Sequence, residues 1–267
     1  MTKSLIVNAD DFGLCKEITT GIIQAYRQGV VTATSVVVNG AYFKESVKLL
    51  KESGMDAGIH LTFTGGERPV SGSIPGLVDD NGFFLKSYRQ VIPRILLRRF
   101  DAVALEKELS EQMSMLKDNG IGISHIDSHQ HLHLLPGIRN FVMNLARKFH
   151  IRWIRVPRAR MTGAKGLGIN ILANKLKKGL KENSFVFTDA FVGFDHGGHM
   201  DEAALSRLLR TLADGVTELM VHPGYDASAY YDWGYGWEGE LKTLTSDSIK
   251  RLIKSMGITL TNFKEIK

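Results

Sequence analysis

The sequence predicts an α/β fold, a single distorted (β/α) barrel of seven or eight mostly parallel strands, and two observations carry that expectation. Short β-branched or apolar runs alternate with segments of helical period along the whole chain, the pattern of repeated strand–helix units around a parallel sheet. The 267 residues, with only 6 Pro and no Pro- or Ser-rich linker, suit one domain spanning 1–267, close to the roughly 250 residues typical of such barrels. An open doubly wound sheet is the alternative, because periodicity does not report closure.

The first strand is expected over residues 4–10 (SLIVNAD), apolar until its last residues, and a helix over 15–28 follows. The run TATSVVVN predicts a strand over 32–39, followed by a helix over 43–52 and a strand over 56–62 (DAGIHLT). Residues 63–99 carry GG, RP, SG, PG and NG turn signals and predict a hairpin or lid inserted over the site. A helix over 102–119, a strand over 123–129 (ISHIDSH), a helix over 137–149 and a strand over 153–157 (WIRVP) come next. After a second long loop and a basic amphipathic run over 169–181, strands over 185–191 and 218–222 (ELMVH) flank a helix over 201–213. A helix over 246–256 and a strand near 259–263 close the chain. No GxGxxG follows the first strand and no GxxxxGK[ST] occurs, so neither a dinucleotide nor a P-loop reading has support.

At 43% hydrophobic and 23% charged, the composition excludes disordered, collagen-like and coiled-coil chains. A single cysteine, Cys15, excludes a disulfide framework and a thiolate-only metal site, and fits a reducing compartment. No apolar run approaches the ~20 residues of a membrane span and no signal-peptide core follows Met1, so a cytoplasmic protein is expected. The net charge of +6 is unevenly spread: residues 128–181 hold twelve Lys or Arg and no acid, leaving 22 basic against 28 acidic residues elsewhere. The chain is therefore an acidic body with one basic band, and with no RNP-like aromatic pattern nucleic acid is not the expected partner. Arg158, Arg160 and the run 169–181 instead suggest peripheral contact with an anionic membrane; the bland alternative is a solvated helix face.

In β/α barrels the reactive groups sit at the C-terminal ends of strands. Here four strand ends supply Asp10 and Asp11, His60, His129 and His222. Taken singly, each Asp reads equally well as a helix N-cap and His60 as a hydrogen-bonded core residue. Taken together, two adjacent carboxylates at a partly buried strand end call for a cation or a proton. Asp11, His60 and His129 form an Asp-plus-two-His set suited to a hydrolytic divalent ion. His129 is preferred to His125, which lies deeper along the strand, while Asp127 is placed to orient a ligand from behind and His131 and His133 to line the rim. Asp10 is then free to act as general base on a water activated by the metal, with His222 as acid on the leaving group and Arg155 as the charge partner of Asp10. Tyr225, Trp233 and Trp237, among other aromatics after His222, offer faces for a sugar ring, with Glu238 or Glu240 adding hydrogen bonds; the alternative is a loop packing its own aromatics. Cys15 reads as a small buried apolar residue.

The motifs NADDFG (8–13), GIHL (58–61), SHIDSHQHLH (124–133) and HPGY (222–225), in this order, resemble the YdjC-like carbohydrate deacetylase family, as do LKTLTS (241–246) and Asn262-Phe263. The resemblance implies a distorted β/α barrel, one divalent ion (Mg2+, or Zn2+) and removal of N-acetyl groups from amino sugars. Carried over residue by residue, it gives Asp11, His60 and His129 as ligands. The wider polysaccharide-deacetylase mechanism similarly suggests Asp10 as base, Arg155 as its tether and His222 as acid. Two branches compete: chitooligosaccharide deacetylases, and hopanoid-biosynthesis enzymes acting on a lipid-linked N-acetylglucosamine. The segments 58–70 and 74–84 look closer to the second. The resemblance also admits a homodimer. Two other function classes remain against it: a metal-dependent phosphoesterase, disfavoured because the first strand carries only one Asp pair, and a non-catalytic sugar-binding protein, which has no need of a free carboxylate beside a metal-bound one.

Overall fold

The computed structural model describes residues 2–161 and 163–266; of Lys165, one member of the basic band, the side chain lies outside that description. Among the described residues the order is β1 (Lys3–Phe12), α1 (Lys16–Gln28), β2 (Ala33–Val36), α2 (Phe43–Ser53), β3 (Asp56–Leu61), α3 (Tyr88–Leu96), α4 (Ala102–Asp118), β4 (His125–Ser128) and α5 (Ile138–Lys148). Then come β5 (Trp153–Ile154), α6 (Ala164–Glu182), β6 (Ala190–Val192), α7 (Glu202–Arg210), β7 (Gly215–Val221), α8 (Trp237–Thr245), α9 (Asp247–Ser255) and β8 (Ile258–Leu260).

The sheet runs β5-β4-β3-β2-β1-β7-β6, and every strand pair is parallel. β8 pairs with the start of β1 (Lys3–Leu5), while β2 pairs with its end (Asn8–Phe12), so one side of β1 serves two partners. In a flat sheet β5 and β7, five places apart, would be about 24 Å from one another. Yet Arg155, just after β5, reaches Glu218 on β7 with an Nε–Oε1 distance of 2.6 Å, which requires the sheet to curl round. The edges are bridged by one segment: Val186 pairs in parallel with Trp153, and four residues later β6 joins β7. This is the distorted barrel; the open doubly wound alternative fails on the cross-barrel contacts.

Inward side chains follow the two-residue period of strands and form layers. The bottom layer is apolar, with Ile6, Ala33, Trp153 and Phe263 packed together. His125 stacks on Phe263, ring centroids 3.9 Å apart, and occupies the space where Gly58 has no side chain: a Cβ there would lie 2.5 Å from the imidazole. Above it lies a buried polar layer of Asn8, Ser35, Asp127, Arg155 and Glu218, and above that, where the strands end, are Asp10, His60 and His222. Helices bury apolar stripes on the outside of the sheet, such as Ile18, Ile22 and Ala25 of α1.

Two helices were not expected from sequence. α3 lies inside 63–99, carries Pro93 in its interior and is started by a Ser87/Gln90 capping box. α8 holds the segment after the aromatic cluster, with Glu238 and Glu240 in its first turn. The rest of 63–99 has one antiparallel bridge, Val78 to Phe84, and is held down by Ile74, Leu77 and Phe84, all fully buried. The strand expected over 153–157 shortens to Trp153–Ile154; of the one expected over 185–191 only Ala190 and Phe191 fall in a strand, β6, while Val186 makes an isolated bridge to Trp153. No helix among the described residues is long and apolar enough to cross a membrane.

Candidate active site

The adjacent carboxylates are separated by backbone geometry. Between Ala9 and Phe12 the register of β1 against β2 slips, three residues on β1 matching two on β2, and Asp11 takes a left-handed φ of 73°. Strain of this kind in a non-glycine residue accumulates at functional sites. The bulge turns Asp11 toward two histidines and leaves Asp10 over the polar layer.

Asp11 Oδ1 lies 3.1 Å from His129 Nδ1 and 3.5 Å from His60 Nε2, and ligand atoms of the three residues all fall within 4.8 Å of one another. His60 Nδ1 is 2.7 Å from Asp127 Oδ1, so an Nδ1–H donated to that carboxylate leaves the Nε2 lone pair facing Asp11. Two acceptors face to face in a buried site need a cation or a proton between them. Burial works against the His60 imidazolium, but Asp127, Asp10 and Asp11 outweigh it and lift its pKa from 6.5 to about 9. Burial likewise opposes the Asp11 carboxylate, and His129 and His60 beside it hold its pKa well below the ordinary range. The donor set thus fits a divalent ion. His129 enters from the short 3-10 turn His129–Leu134, whose next two residues, Gln130 and His131, both have positive φ. Gly65, at φ 98°, packs on the His129 ring, where a Cβ would meet it at 3.1 Å.

Asp10 has different partners. Arg155 donates Nη1 to its Oδ2 and Nη2 to its Oδ1, both at 2.7 Å, and Asn8 Nδ2 donates to Oδ1 at 2.8 Å. Three of about four acceptor sites are filled and the remaining one belongs to Oδ2. Arg155 is fully buried and also pairs with Asp127 Oδ2 at 2.7 Å and Glu218 Oε1 at 2.6 Å, so it is a core cation shared by three carboxylates, not a surface residue. Ser35 Oγ donates to Asp127 Oδ2 and contacts His125 Nε2 at 3.0 Å, which ties the floor of the site to the layer below.

These groups open onto a cavity of about 510 Å³ lined by Asp10, His60, His129, His131 and His222 at its polar end. Trp233 and Tyr235 form one wall, Trp233 tilted against His129 with centroids 5.1 Å apart and Tyr235 edge-on to His222 at 5.1 Å. Most of the remaining lining is apolar, with Ile92, Leu134, Leu135, Ile169, Leu172 and Phe194 beside Tyr88 and Gln130. His222 Nδ1 is buried and has no hydrogen-bond partner among the described residues, while the backbone N–H of His222 donates to Glu240 Oε2 at 2.5 Å.

Several expected site residues lie elsewhere. His125 is in the barrel interior, where burial pushes its pKa down to about 4, and it does not line the cavity. His131 does line it, stacked on Phe194, and burial holds its pKa well below 6.5. His133, expected at the rim, is fully buried; its Nε2–H donates to the Arg155 carbonyl at 3.0 Å, and its Nδ1 accepts from the Ser128 hydroxyl at 2.7 Å. Tyr225 is exposed, bonded through its hydroxyl to Gln24, and Trp237 is buried beneath Trp233 and Tyr235; neither lines the cavity. Glu240, expected to meet hydroxyls, uses both oxygens on the backbone N–H groups of Met200 and His222. Cys15 is buried, and burial raises its thiol pKa to about 11. Sequence reading overlooked Ser35 and Glu218. Glu218 was visible as a lone carboxylate in ELMVH, two and four residues before Met220 and His222 and so on their face of the strand.

The family model described as YdjC-like protein matches residues 4–255. Over 267 aligned residues the chain is 33% identical to a Brevibacillus brevis protein named carbohydrate deacetylase, covering 98% of this chain and 99% of that one. It is also 33% identical over 273 residues to a Salmonella paratyphi B protein named chitooligosaccharide deacetylase, covering all of both. A solved structure from Enterococcus faecalis, named as a candidate cellobiose-phosphate cleavage protein, superposes with a TM-score of 0.80 at 26% identity, covering 99% of this chain and 98% of that one. With the match extending from the first strand through α9, the chain belongs to the YdjC-like protein family.

Proposed function

We propose that the protein hydrolyses the N-acetyl group of an amino sugar with the aid of one divalent ion. The observation that carries this reading is the division of labour at the bulge: Asp11 faces two imidazoles, while Asp10, its neighbour, is held by Arg155 in the same cavity. The names of the full-length relatives support the chemistry.

Asp11, His60 and His129 would hold the ion, and two imidazoles with one carboxylate suit Zn2+ better than Mg2+, which takes oxygen donors. When bound, it supplies Lewis-acid polarisation of the acetyl carbonyl and makes water more acidic. Asp10, oriented by Arg155 and Asn8, accepts the proton of the attacking water at the free site on Oδ2. His222 gives a proton to the amine nitrogen as the amide C–N bond breaks, so acetate and the free amino sugar leave. Trp233 and Tyr235 offer faces on which the sugar ring stacks.

The apolar wall extends this reading to the rest of the substrate. A free oligosaccharide presents hydroxyls in every direction, whereas Ile92, Leu134, Leu135, Ile169, Leu172 and Phe194 offer no hydrogen bonds from their side chains. The sugar therefore carries an apolar aglycone, as a lipid-linked N-acetylglucosamine does. Mass spectrometry of octyl N-acetylglucosaminide and of chitobiose after incubation tests both levels. Loss of one acetyl group, with a lower KM for the octyl glycoside, is expected. No acetyl loss from either overturns the reaction; equal KM values overturn only the apolar aglycone.

A further inference from the structure

We propose that a second cavity, separate from the catalytic one, binds a phosphate-class anion: inorganic phosphate, a phosphomonoester or the phosphate of an anionic lipid headgroup. Its volume is about 320 Å³, and three elements converge on it. The extended chain leaving β5 contributes Arg158 and Arg160, two residues apart and so on one side. α7 with the turn after it contributes Arg207 and Thr211, one helical turn apart, and the 193–196 segment contributes Gly193, Asp195 and His196. The acidic residue of this lining, Asp195, is occupied by the backbone: its Oδ2 accepts the Arg160 N–H at 2.7 Å and its Oδ1 the Met161 N–H at 3.0 Å. It acts as a clamp on the arginine-bearing loop. Arg158 uses one Nη on Asn174 Oδ1 at 2.6 Å, while the Arg160 and Arg207 guanidinia have no partner among the described residues.

Three guanidinium charges against the single Asp195 carboxylate leave the lining net positive, and guanidinium forks match phosphate oxygens two bonds at a time. The cavity shares a wall with the catalytic one. Phe194 and Gly197 face the substrate side and Gly193, Asp195 and His196 the arginine side of the same short segment. An anion seated there would lie next to the apolar wall, where a charged group on the substrate or on its carrier surface would serve as an anchor.

Isothermal titration of the full chain with inorganic phosphate at low ionic strength tests this, alongside co-sedimentation with phosphatidylcholine vesicles with and without phosphatidylglycerol. Saturable phosphate binding is expected, weakened about tenfold or more by Arg160→Gln combined with Arg207→Gln, with the melting temperature retained because both side chains are exposed. Phosphate binding without vesicle binding assigns the site to soluble phosphates; phosphatidylglycerol-dependent sedimentation that the double variant loses and phosphate displaces assigns it to a headgroup. If wild-type protein binds neither, or the double variant binds both as wild type does, the proposal is overturned.

Discussion

Asp10 and Asp11 are chemically identical neighbours with opposed surroundings, and the difference is set by one bulge in β1. Replacing Asp10 by Asn keeps the shape but removes the proposed base, and turnover should fall by about 10²- to 10⁴-fold while the affinity for the metal changes little; steady-state kinetics with metal titration separates the two. His60 gives a second expectation. With its imidazolium stable up to about pH 9, metal binding must displace a proton, so affinity should rise with pH up to about 9 and binding near neutrality should release a proton. Calorimetry in buffers of different ionisation enthalpy reads that proton directly. Glu218 titrates inside the fold: burial, with help from Asp127 and Asp10, raises its pKa to about 7 against the pull of Arg155. The folded state therefore holds a proton that the unfolded chain has lost, and stability should decline as pH rises from about 4.5 through 7, by up to about 3 kcal/mol. In Glu218→Gln that slope should vanish while the Arg155 Nε bond keeps its acceptor; denaturant midpoints across this pH range show whether it does.

At the scale of elements, the site depends on how closely α1 approaches the turn after β7. Gly21 on α1 faces Gly224 so tightly that an added Cβ would lie 2.4 Å from its Cα, and the Tyr225 N–H donates to the Glu17 carbonyl at 3.1 Å. Gly21→Ala should push the 222–224 turn outward, costing about 1–3 kcal/mol and lowering kcat through the displaced His222; a loss of stability with unchanged kcat would show that the turn does not position the acid. Strands were legible wherever a two-residue period ended in a polar group: Asp10, His60, Asp127 and His222 all stand on such ends. α3 and α8 were not, since Pro93 interrupts one pattern and the aromatic run before Trp237 obscures the start of the other. β5 read too long because Val156 and Pro157 are as apolar and buried as strand residues, although only Trp153 and Ile154 pair with β4.

Across the whole molecule, the barrel curls so that Arg155, just after β5, reaches Glu218 on β7, and the candidate site residues converge because of that closure. Sequence spacing pointed to Asp11, His60 and His129, which the structure brings together, but the polar layer beneath them was hidden. Asn8, Ser35 and Glu218 stand on three different strands, and only three-dimensional closure brings them into one layer. The basic band divides in the same way. Arg155 belongs to the core, whereas Arg158 and Arg160 meet Arg207 from α7, a neighbour that no local pattern announces.

The central claim is that Asp11, His60 and His129 hold an ion on which hydrolysis depends. Acetate release from an N-acetylglucosaminide should therefore disappear in chelated protein, return with one equivalent of Zn2+ or another divalent ion, and stay absent in Asp11→Asn at the same metal concentration. Full activity in the chelated protein, or full rescue of Asp11→Asn by that one equivalent, would contradict it.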